Sequence, residues 1–176
     1  MADTGAVIAG TGASVAYNSG NAWSNPGNIT ANDSSYATAN FSSGANTEYI
    51  QGTNFGFAVP AGATINGILL EVERNFQTSA AVDLSVRIVK GGTVVGSDKA
   101  SATAWTTGDV IATYGSSVDL WGTTWTATDI NSSTFGAALA ADTNTGAFGT
   151  ARVDFMRITV YFTAAATSNS AFFAFM

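Results

Sequence analysis

The chain has 176 residues and a formal net charge of −6, with 10% charged residues and neither cysteine nor histidine. This composition excludes disulfides and thiolate metal sites, removes the commonest general base, and leaves no cationic cluster to neutralise nucleic-acid phosphates or an anionic membrane. It predicts one domain with a surface of serine, threonine, asparagine and glycine, and no nucleic-acid or membrane partner.

Residues 1–17 are small and weakly apolar, which predicts an N-terminal arm or a first strand. They lack a basic segment followed by an apolar core, so no secretion signal is expected. Residues 18–48 are rich in asparagine, serine and glycine and show no sustained period. We predict a long loop that wraps on the body, held by Trp23, Tyr36 and Phe41.

Residues 65–76 carry the clearest strand signal. Apolar and polar residues alternate there, with Ile68 and Leu70 toward the core and Glu71 and Glu73 outward. Such a period of two is typical of a half-buried strand.

A second alternating segment, residues 82–89, leads into a tight hairpin at Gly91 and Gly92, where glycine supplies the positive φ that such turns need. Its predicted inward residues are Val82, Leu84, Val86 and Ile88, and its predicted outward residues are Asp83, Ser85 and Arg87.

The remaining elements are a short helical turn and a long final strand. Thr126 and Asp129 have the spacing of a capping box. In residues 151–162 the alternation changes phase near Met156 and Arg157, which predicts a β-bulge there or burial of both faces.

Several short strands separated by turns are typical of an antiparallel β-sandwich. We predict an all-β sandwich of jelly-roll type with about eight strands and extended terminal arms; a single eight-stranded barrel is the alternative. The predicted domains are an arm or strand at 1–17, the sandwich at 18–163 and a C-terminal arm at 164–176.

No residue pattern indicates catalysis, and we predict that the protein is not an enzyme. Glu71 and Glu73 have the separation of a glycosidase pair but read better as a solvated face paired with Arg152 or Arg157. No cofactor or metal is expected, although oxygen ligands leave a weak calcium site open in the loops at 25–33 and 142–146.

Exposed aromatic rings on a β-sandwich can stack on the apolar face of a sugar. Trp121 and Trp125 lie four residues apart and could share one end of the sandwich, where they would contact a glycan. The alternative is that both rings cover the open end of the core.

Four segments together resemble a β-sandwich domain of tailed-phage structural proteins and bacterial surface proteins. They are WSNPGNITANDSSYATA, NFGFAVPAGATINGILLEVER, DLWGTTWTATDINSSTFG and VDFMRITVYFT. The resemblance spans about residues 20–163 and implies a virion or surface role, without catalytic residues.

The chain closes on an apolar segment in which Phe172, Phe173, Phe175 and Met176 follow the small and polar spacer TAAATSNS. Exposed apolar patches mark interaction sites. The tail therefore needs a receiving groove, either on its own body or on a neighbouring molecule, and the extended spacer favours the neighbour.

We accordingly expect a virion structural protein, assembled in the host cytoplasm. The favoured form is a phage head decoration or cement protein that binds the major capsid protein or neighbouring copies as a homo-oligomer, with a trimer as one form. The alternatives are a tail or fibre module that binds host glycans, and a self-assembling surface filament subunit.

Overall fold

The computed structural model describes residues 1–41, 46–77, 81–143 and 148–166. Apart from a 3₁₀ helix at Pro26–Ile29 and a short helix α1 at Ala127–Asn131, the regular elements in the described residues are strands. These are β1 Ala2–Asp3, β2 Val7–Ile8, β3 Thr11–Val15, β4 Ala37–Phe41, β5 Tyr49–Thr53, β6 Thr64–Phe76, β7 Val82–Lys90, β8 Thr93–Val95, β9 Val110–Ser116, β10 Gly136–Asp142 and β11 Gly149–Thr163.

The strands form two antiparallel sheets. The six-stranded sheet has the order β1–β11–β6–β9, with β2 and β4 also paired to β11, and the five-stranded sheet has the order β3–β5–β10–β7–β8. From β3 to β7 the chain changes sheet at every step, as a jelly roll does. The predicted all-β sandwich is confirmed, with eleven strands in the described residues where about eight were expected; β1, β2 and β8 are short.

The N-terminal residues are part of both sheets. β1 and β2 pair with β11, while β3 pairs with β5 in the other sheet. Gly12 permits this arrangement, because a Cβ there would lie 2.0 Å from the carbonyl oxygen of Pro26. Residues 1–15 thus complete the sandwich instead of extending away from it.

The segment predicted as a long loop contains a strand. β4 pairs with β11, and Ala37, Ala39 and Phe41 on its inner face are fully buried. Alanine, threonine and asparagine gave this strand too little hydrophobic contrast to be recognised in the sequence. Trp23 is also buried, as predicted, whereas Tyr36 is only partly covered.

The long strands β6 and β11 form the centre of the six-stranded sheet. In β6 the predicted alternation of Ile68 and Leu70 with Glu71 and Glu73 is confirmed. The phase change predicted in β11 also occurs, but the register shifts between Val153 and Phe155, two residues before the expected place. The extra residue is Asp154, and it leaves both faces buried at this point.

A second bulge reverses two assignments on β7. Its register against β10 shifts so that Ser85 and Asp83 face successive residues. The prediction that Leu84 points inward and Asp83 outward is therefore wrong: Asp83 is buried, and Leu84 packs on the outer surface of the sheet.

Asp83 is the acceptor of a buried polar network between the sheets. Trp105 Nε1 donates to Oδ1 at 2.8 Å and the Tyr114 hydroxyl donates to Oδ2 at 2.9 Å. Arg74 completes the network, with Nη2 3.5 Å from Oδ1 and its guanidinium 4.5 Å from the Trp105 ring centre. Burial and the Asp83 charge raise the pKa of the Tyr114 hydroxyl.

Candidate binding face on the five-stranded sheet

The outer surface of the five-stranded sheet carries a second, smaller apolar cluster, separate from the core. Its buried members are Tyr49, Val89, Ala138 and Ala140, and its partly buried members are Val15, Tyr17, Leu84 and Val94. Within the described residues, this is the place where aromatic and aliphatic side chains collect outside the sandwich core.

Strand register sets the side chains of this surface in rows. On β5, Gln51 lies opposite Ala13 of β3 and Ala138 of β10, and Ala138 in turn lies opposite Arg87 of β7. These residues alternate with core residues along each strand, so they share the outer face. A long amide and a long guanidinium side chain therefore stand on either side of an alanine.

The neighbouring row contains an aromatic side chain. Tyr49 lies opposite Val15, and Ala140 lies opposite Ser85. The central strand β10 presents small residues on its outer face (Ala138 and Ala140), which leaves the space above it to the side chains of β5 and β7.

Tyr17 follows β3 and folds over this surface. Its ring stacks on that of Tyr49, with centroids 4.1 Å apart and planes 29° apart. Tyr49 is 5% exposed while Tyr17 is partly exposed. The pair therefore leaves Tyr17 partly open to solvent beside the apolar cluster.

A hydrogen-bond chain fixes the Tyr49 ring from below. Its hydroxyl donates to Ser85 Oγ at 3.0 Å, and Ser85 Oγ donates to Asp98 Oδ2 at 2.7 Å. Burial raises the pKa of Tyr49, and the adjacent Tyr17 hydroxyl raises it further. The ring is thus held in one orientation.

Charge on this surface is balanced. Arg87 Nε lies 3.3 Å from Asp98 Oδ2, and Arg87 Nη1 donates to the Gly96 carbonyl. Burial of Asp98 opposes its ionisation, but hydrogen bonds from Val86 N–H, Ser85 and Ala100 N–H, with the Arg87 charge, lower its pKa.

Two groups keep unused hydrogen-bonding capacity. The Gln51 amide makes no side-chain hydrogen bond to the described residues, and Arg87 Nη2 likewise has no partner among them. We call Tyr17, Tyr49, Gln51, Ser85 and Arg87 the tyrosine face. It combines a ring, an amide and a guanidinium, the groups that protein sites use to orient a polar ligand with apolar faces.

None of these residues was predicted from the sequence as a site residue. One signal was available, since Tyr49 and Gln51 alternate with the core residue Ile50 in β5. Tyr17 lies 32 positions before Tyr49 in the sequence, and only the pairing of β3 with β5 brings the two rings together.

The two tryptophans predicted to contact a glycan are both buried. Trp121 is fully buried, and its Nε1 donates to the Ile68 carbonyl at 2.9 Å. Trp125 is 9% exposed, and its Nε1 donates to the Leu120 carbonyl at 3.0 Å. Trp121 therefore offers no free ring face for stacking, and Trp125 is almost wholly covered.

Trp125 does line a groove of about 450 Å³ at the end of the sandwich. The floor is apolar and is formed by Ala63, Ile65, Leu120, Trp125 and Ala127. Threonine side chains at 64, 124, 126 and 128 form its rim.

The predicted partner contacts, Phe172, Phe173, Phe175 and Met176, lie outside the described residues. Partners, the virion setting and the homo-oligomer therefore remain predictions.

The paired carboxylates have separate environments. Glu71 forms a bidentate ion pair with Arg157, at 2.8 Å to Nε and 2.9 Å to Nη2. Burial raises the pKa of Glu73, and the nearby charges of Asp154 and Asp109 raise it further. The two side chains sit on a sheet surface with one of them neutralised by an arginine.

Asp154 is a buried carboxylate at the β11 bulge. Neither oxygen accepts a hydrogen bond of ordinary geometry from the described residues, although the backbone N–H groups of Ser34 and Asp33 interact with the carboxylate. Burial raises its pKa, those two N–H groups oppose the rise, and the charges of Asp33 and Asp109 add to it.

In the described ranges no group of three acidic side chains is arranged to hold a metal ion. In the 25–33 loop, Asp33 Oδ1 accepts from the Ser35 N–H and Asn28 Nδ2 donates to the Tyr36 carbonyl, which is turn chemistry. Residues 144–147 of the second loop lie outside the described part. The described helices include none with the length and apolar character needed to cross a membrane.

No protein-family model matches this chain, and no curated protein matches it either. A solved structure described as "CBM4 structure and function" is similar over 88% of this chain and 93% of its own, at 15% identity and a TM-score of 0.42. The N-terminal cellulose-binding domain from Cellulomonas fimi β-1,4-glucanase C is similar over 93% of this chain and 95% of its own, at 14% identity and a TM-score of 0.32. Likeness at this level concerns the fold alone, and the cellulose binding is a property of that domain.

Proposed function

We propose that this protein is a carbohydrate-binding module that holds neutral glycans on the tyrosine face. The observation that carries the proposal is the partly exposed Tyr17 ring, stacked on Tyr49 beside the uncommitted amide of Gln51. A pyranose ring has an apolar face that packs on an aromatic ring, and hydroxyl groups around its edge that need donors and acceptors.

Charge favours a neutral ligand. Arg87 and Asp98 neutralise each other at the rim, and the chain as a whole carries a charge of −6. A polyanionic glycan would meet repulsion from the protein and only one partly exposed arginine. A neutral sugar hydroxyl can instead accept from Arg87 Nη2 without breaking the ion pair.

Preorganisation also supports binding. Tyr49 is fixed by the hydrogen-bond chain through Ser85 to Asp98, and Tyr17 is fixed by stacking on Tyr49. Because these two rings have little side-chain freedom left to lose, the entropic cost of binding a ligand is reduced.

The test is calorimetric titration and affinity electrophoresis against a panel of soluble neutral glycans, with one uronic-acid polymer included. Tyr17→Ala and Gln51→Ala should each weaken binding by at least about tenfold, the equivalent of ~1.4 kcal/mol. The matched control is Tyr161→Ala, because Tyr161 is a partly exposed tyrosine on β11 in the other sheet.

Two outcomes would refute the proposal. One is the absence of binding to every glycan in the panel. The other is glycan binding that Tyr17→Ala leaves unchanged, which would place the ligand elsewhere on the protein.

A further inference from the structure

The groove at Trp125 is a second concave surface, distinct from the tyrosine face, and its chemistry differs. Its floor residues Ala63, Ile65 and Ala127 are apolar and almost fully covered, with exposed threonines only at the rim. At about 450 Å³ it lies within the range of about 300–1,000 Å³ typical of ligand pockets.

The groove offers no charge for a charged ligand. None of the residues that line it is ionisable. Lys90 and Asp129, which contact the lining residues Thr124 and Thr126, lie 3.2 Å apart. Lys90 also donates to the Thr124 carbonyl at 2.8 Å, and its ammonium lies 5.3 Å from the centre of the Trp125 ring. Lys90 and Asp129 neutralise each other, so an apolar ligand fits the groove best.

The last described residues of the chain run along the lip of this groove. Thr163 at the end of β11 pairs with Thr64 at the start of β6. Beyond it, the Ala165 Cβ lies 3.4 Å from the position that a Cβ would take at Gly62, and Gly62 lines the groove. The chain then continues with TSNSAFFAFM.

We propose that this groove is the docking site for the chain's own C-terminal segment, with Phe172, Phe173 and Phe175 as the residues that enter it. Six residue steps separate Phe172 from Ala166, and at ~3.3 Å per step they reach up to ~20 Å. This is enough for the chain to turn back into a groove whose lip Ala165 already contacts. Tethering gives the chain's own tail an effective concentration on the order of millimolar, which favours it over the tail of another copy.

The proposal accounts for the composition of the segment. Three phenylalanines and a methionine exposed to solvent would form an apolar patch that promotes aggregation. Burial of each phenylalanine side chain contributes roughly 1.5–3 kcal/mol, and the groove provides apolar floor for this purpose at the place where the chain arrives.

The experiment uses the full chain and a synthetic peptide of residues 167–176. The chain is compared with a triple variant, Phe172→Ser, Phe173→Ser and Phe175→Ser, which should leave the groove empty. In ¹H–¹⁵N spectra, the peptide should bind the triple variant and shift the signals of residues 61–65, Trp125 and residues 126–128. The unmodified chain should not bind the added peptide.

A blocked groove provides the control. Thr64→Arg, introduced into the triple variant at the exposed rim, should weaken peptide binding at least tenfold. Thr113→Arg on β9, an exposed threonine away from the groove, should have no effect.

Three outcomes would overturn the proposal: no binding of the peptide to the triple variant, binding that shifts other residues, or equal binding to the unmodified chain. A fourth such outcome, measured by light scattering, is a dimer of the unmodified chain that becomes a monomer in the triple variant. The tail would then occupy the groove of a neighbouring copy. Glycan binding by the triple variant should be unchanged, so this result stands or falls separately from the tyrosine face.

Discussion

Replacement of Asp83 by alanine should be one of the most damaging single changes in the protein. Its side chain is fully buried and accepts hydrogen bonds from the Trp105 indole at 2.8 Å and the Tyr114 hydroxyl at 2.9 Å. It also neutralises Arg74, whose side chain is 8% exposed. Asp83→Ala therefore leaves a buried guanidinium without its counter-ion and an indole N–H without an acceptor.

The expected magnitude follows from the burial of both partners. Removal of one member of a buried ion pair typically costs about 3–5 kcal/mol. For a chain of this size, 1 kcal/mol corresponds to a shift in Tm of roughly 2–4 °C. We therefore expect Asp83→Ala to lower Tm by about 6–20 °C.

Urea unfolding followed by tryptophan fluorescence gives the free energy of unfolding directly. The control is Glu71→Ala, which removes the partly exposed ion pair with Arg157 and should cost no more than about 1 kcal/mol. The double variant Arg74→Met with Asp83→Leu should recover part of the loss, because no unpaired charge remains. The Trp105 N–H and the Tyr114 hydroxyl still lack the partner that Asp83 supplied, so recovery should be incomplete. Equal effects of Asp83→Ala and Glu71→Ala would refute this reasoning.

Three further changes test other parts of the structure. Burial raises the folded-state pKa of Asp154, so ionisation of this carboxyl destabilises the folded protein as pH rises. Asp154→Asn should therefore raise Tm at pH 7. In thermal melts, the gain in Tm should shrink toward zero as pH falls below ~4, where the carboxyl is protonated in both states. A Cβ at Gly136 would lie 1.9 Å from the Gly52 carbonyl oxygen. Gly136→Ala should therefore lower the free energy of unfolding in urea by ~1–3 kcal/mol. Gly27→Ala is the control, because a Cβ there meets nothing within 4 Å and the loss should be much smaller. If the protein is a virion component held by its C-terminal arm, deletion of residues 164–176 should abolish oligomerisation or capsid attachment, as measured by light scattering and by sedimentation with empty shells. If the tail docks in the groove of its own chain, the deletion should leave the oligomeric state unchanged.

The part of the fold that could be predicted is the part encoded in neighbouring residues. In β6, Ile68 and Leu70 alternate with Glu71 and Glu73, and the structure keeps that alternation because successive side chains of a strand point to opposite faces. The capping box of α1 is equally local: Thr126 accepts from the Asp129 N–H, and Asp129 accepts from the Thr126 N–H.

The wrong inward and outward assignments on β7 come from one inserted residue that changes the phase of the strand. At the β7 bulge, Asp83 turns inward to Arg74, and Leu84 turns outward to the tyrosine face. A bulge depends on the partner strand, here β10, which follows more than 50 residues later. The periodicity of β7 alone does not contain that information.

The sequence by itself determined the all-β class. It also excluded the chemistry that needs cysteine or histidine, and it supplied aromatic side chains that must be buried away from water. The tertiary structure decided which rings are covered: it buried Trp121, placed Trp125 at the floor of a groove, and left Tyr17 partly open on Tyr49. The physical reason is that composition sets how much apolar area must be removed from water, whereas strand pairing between distant segments decides which side chains lose their contact with it.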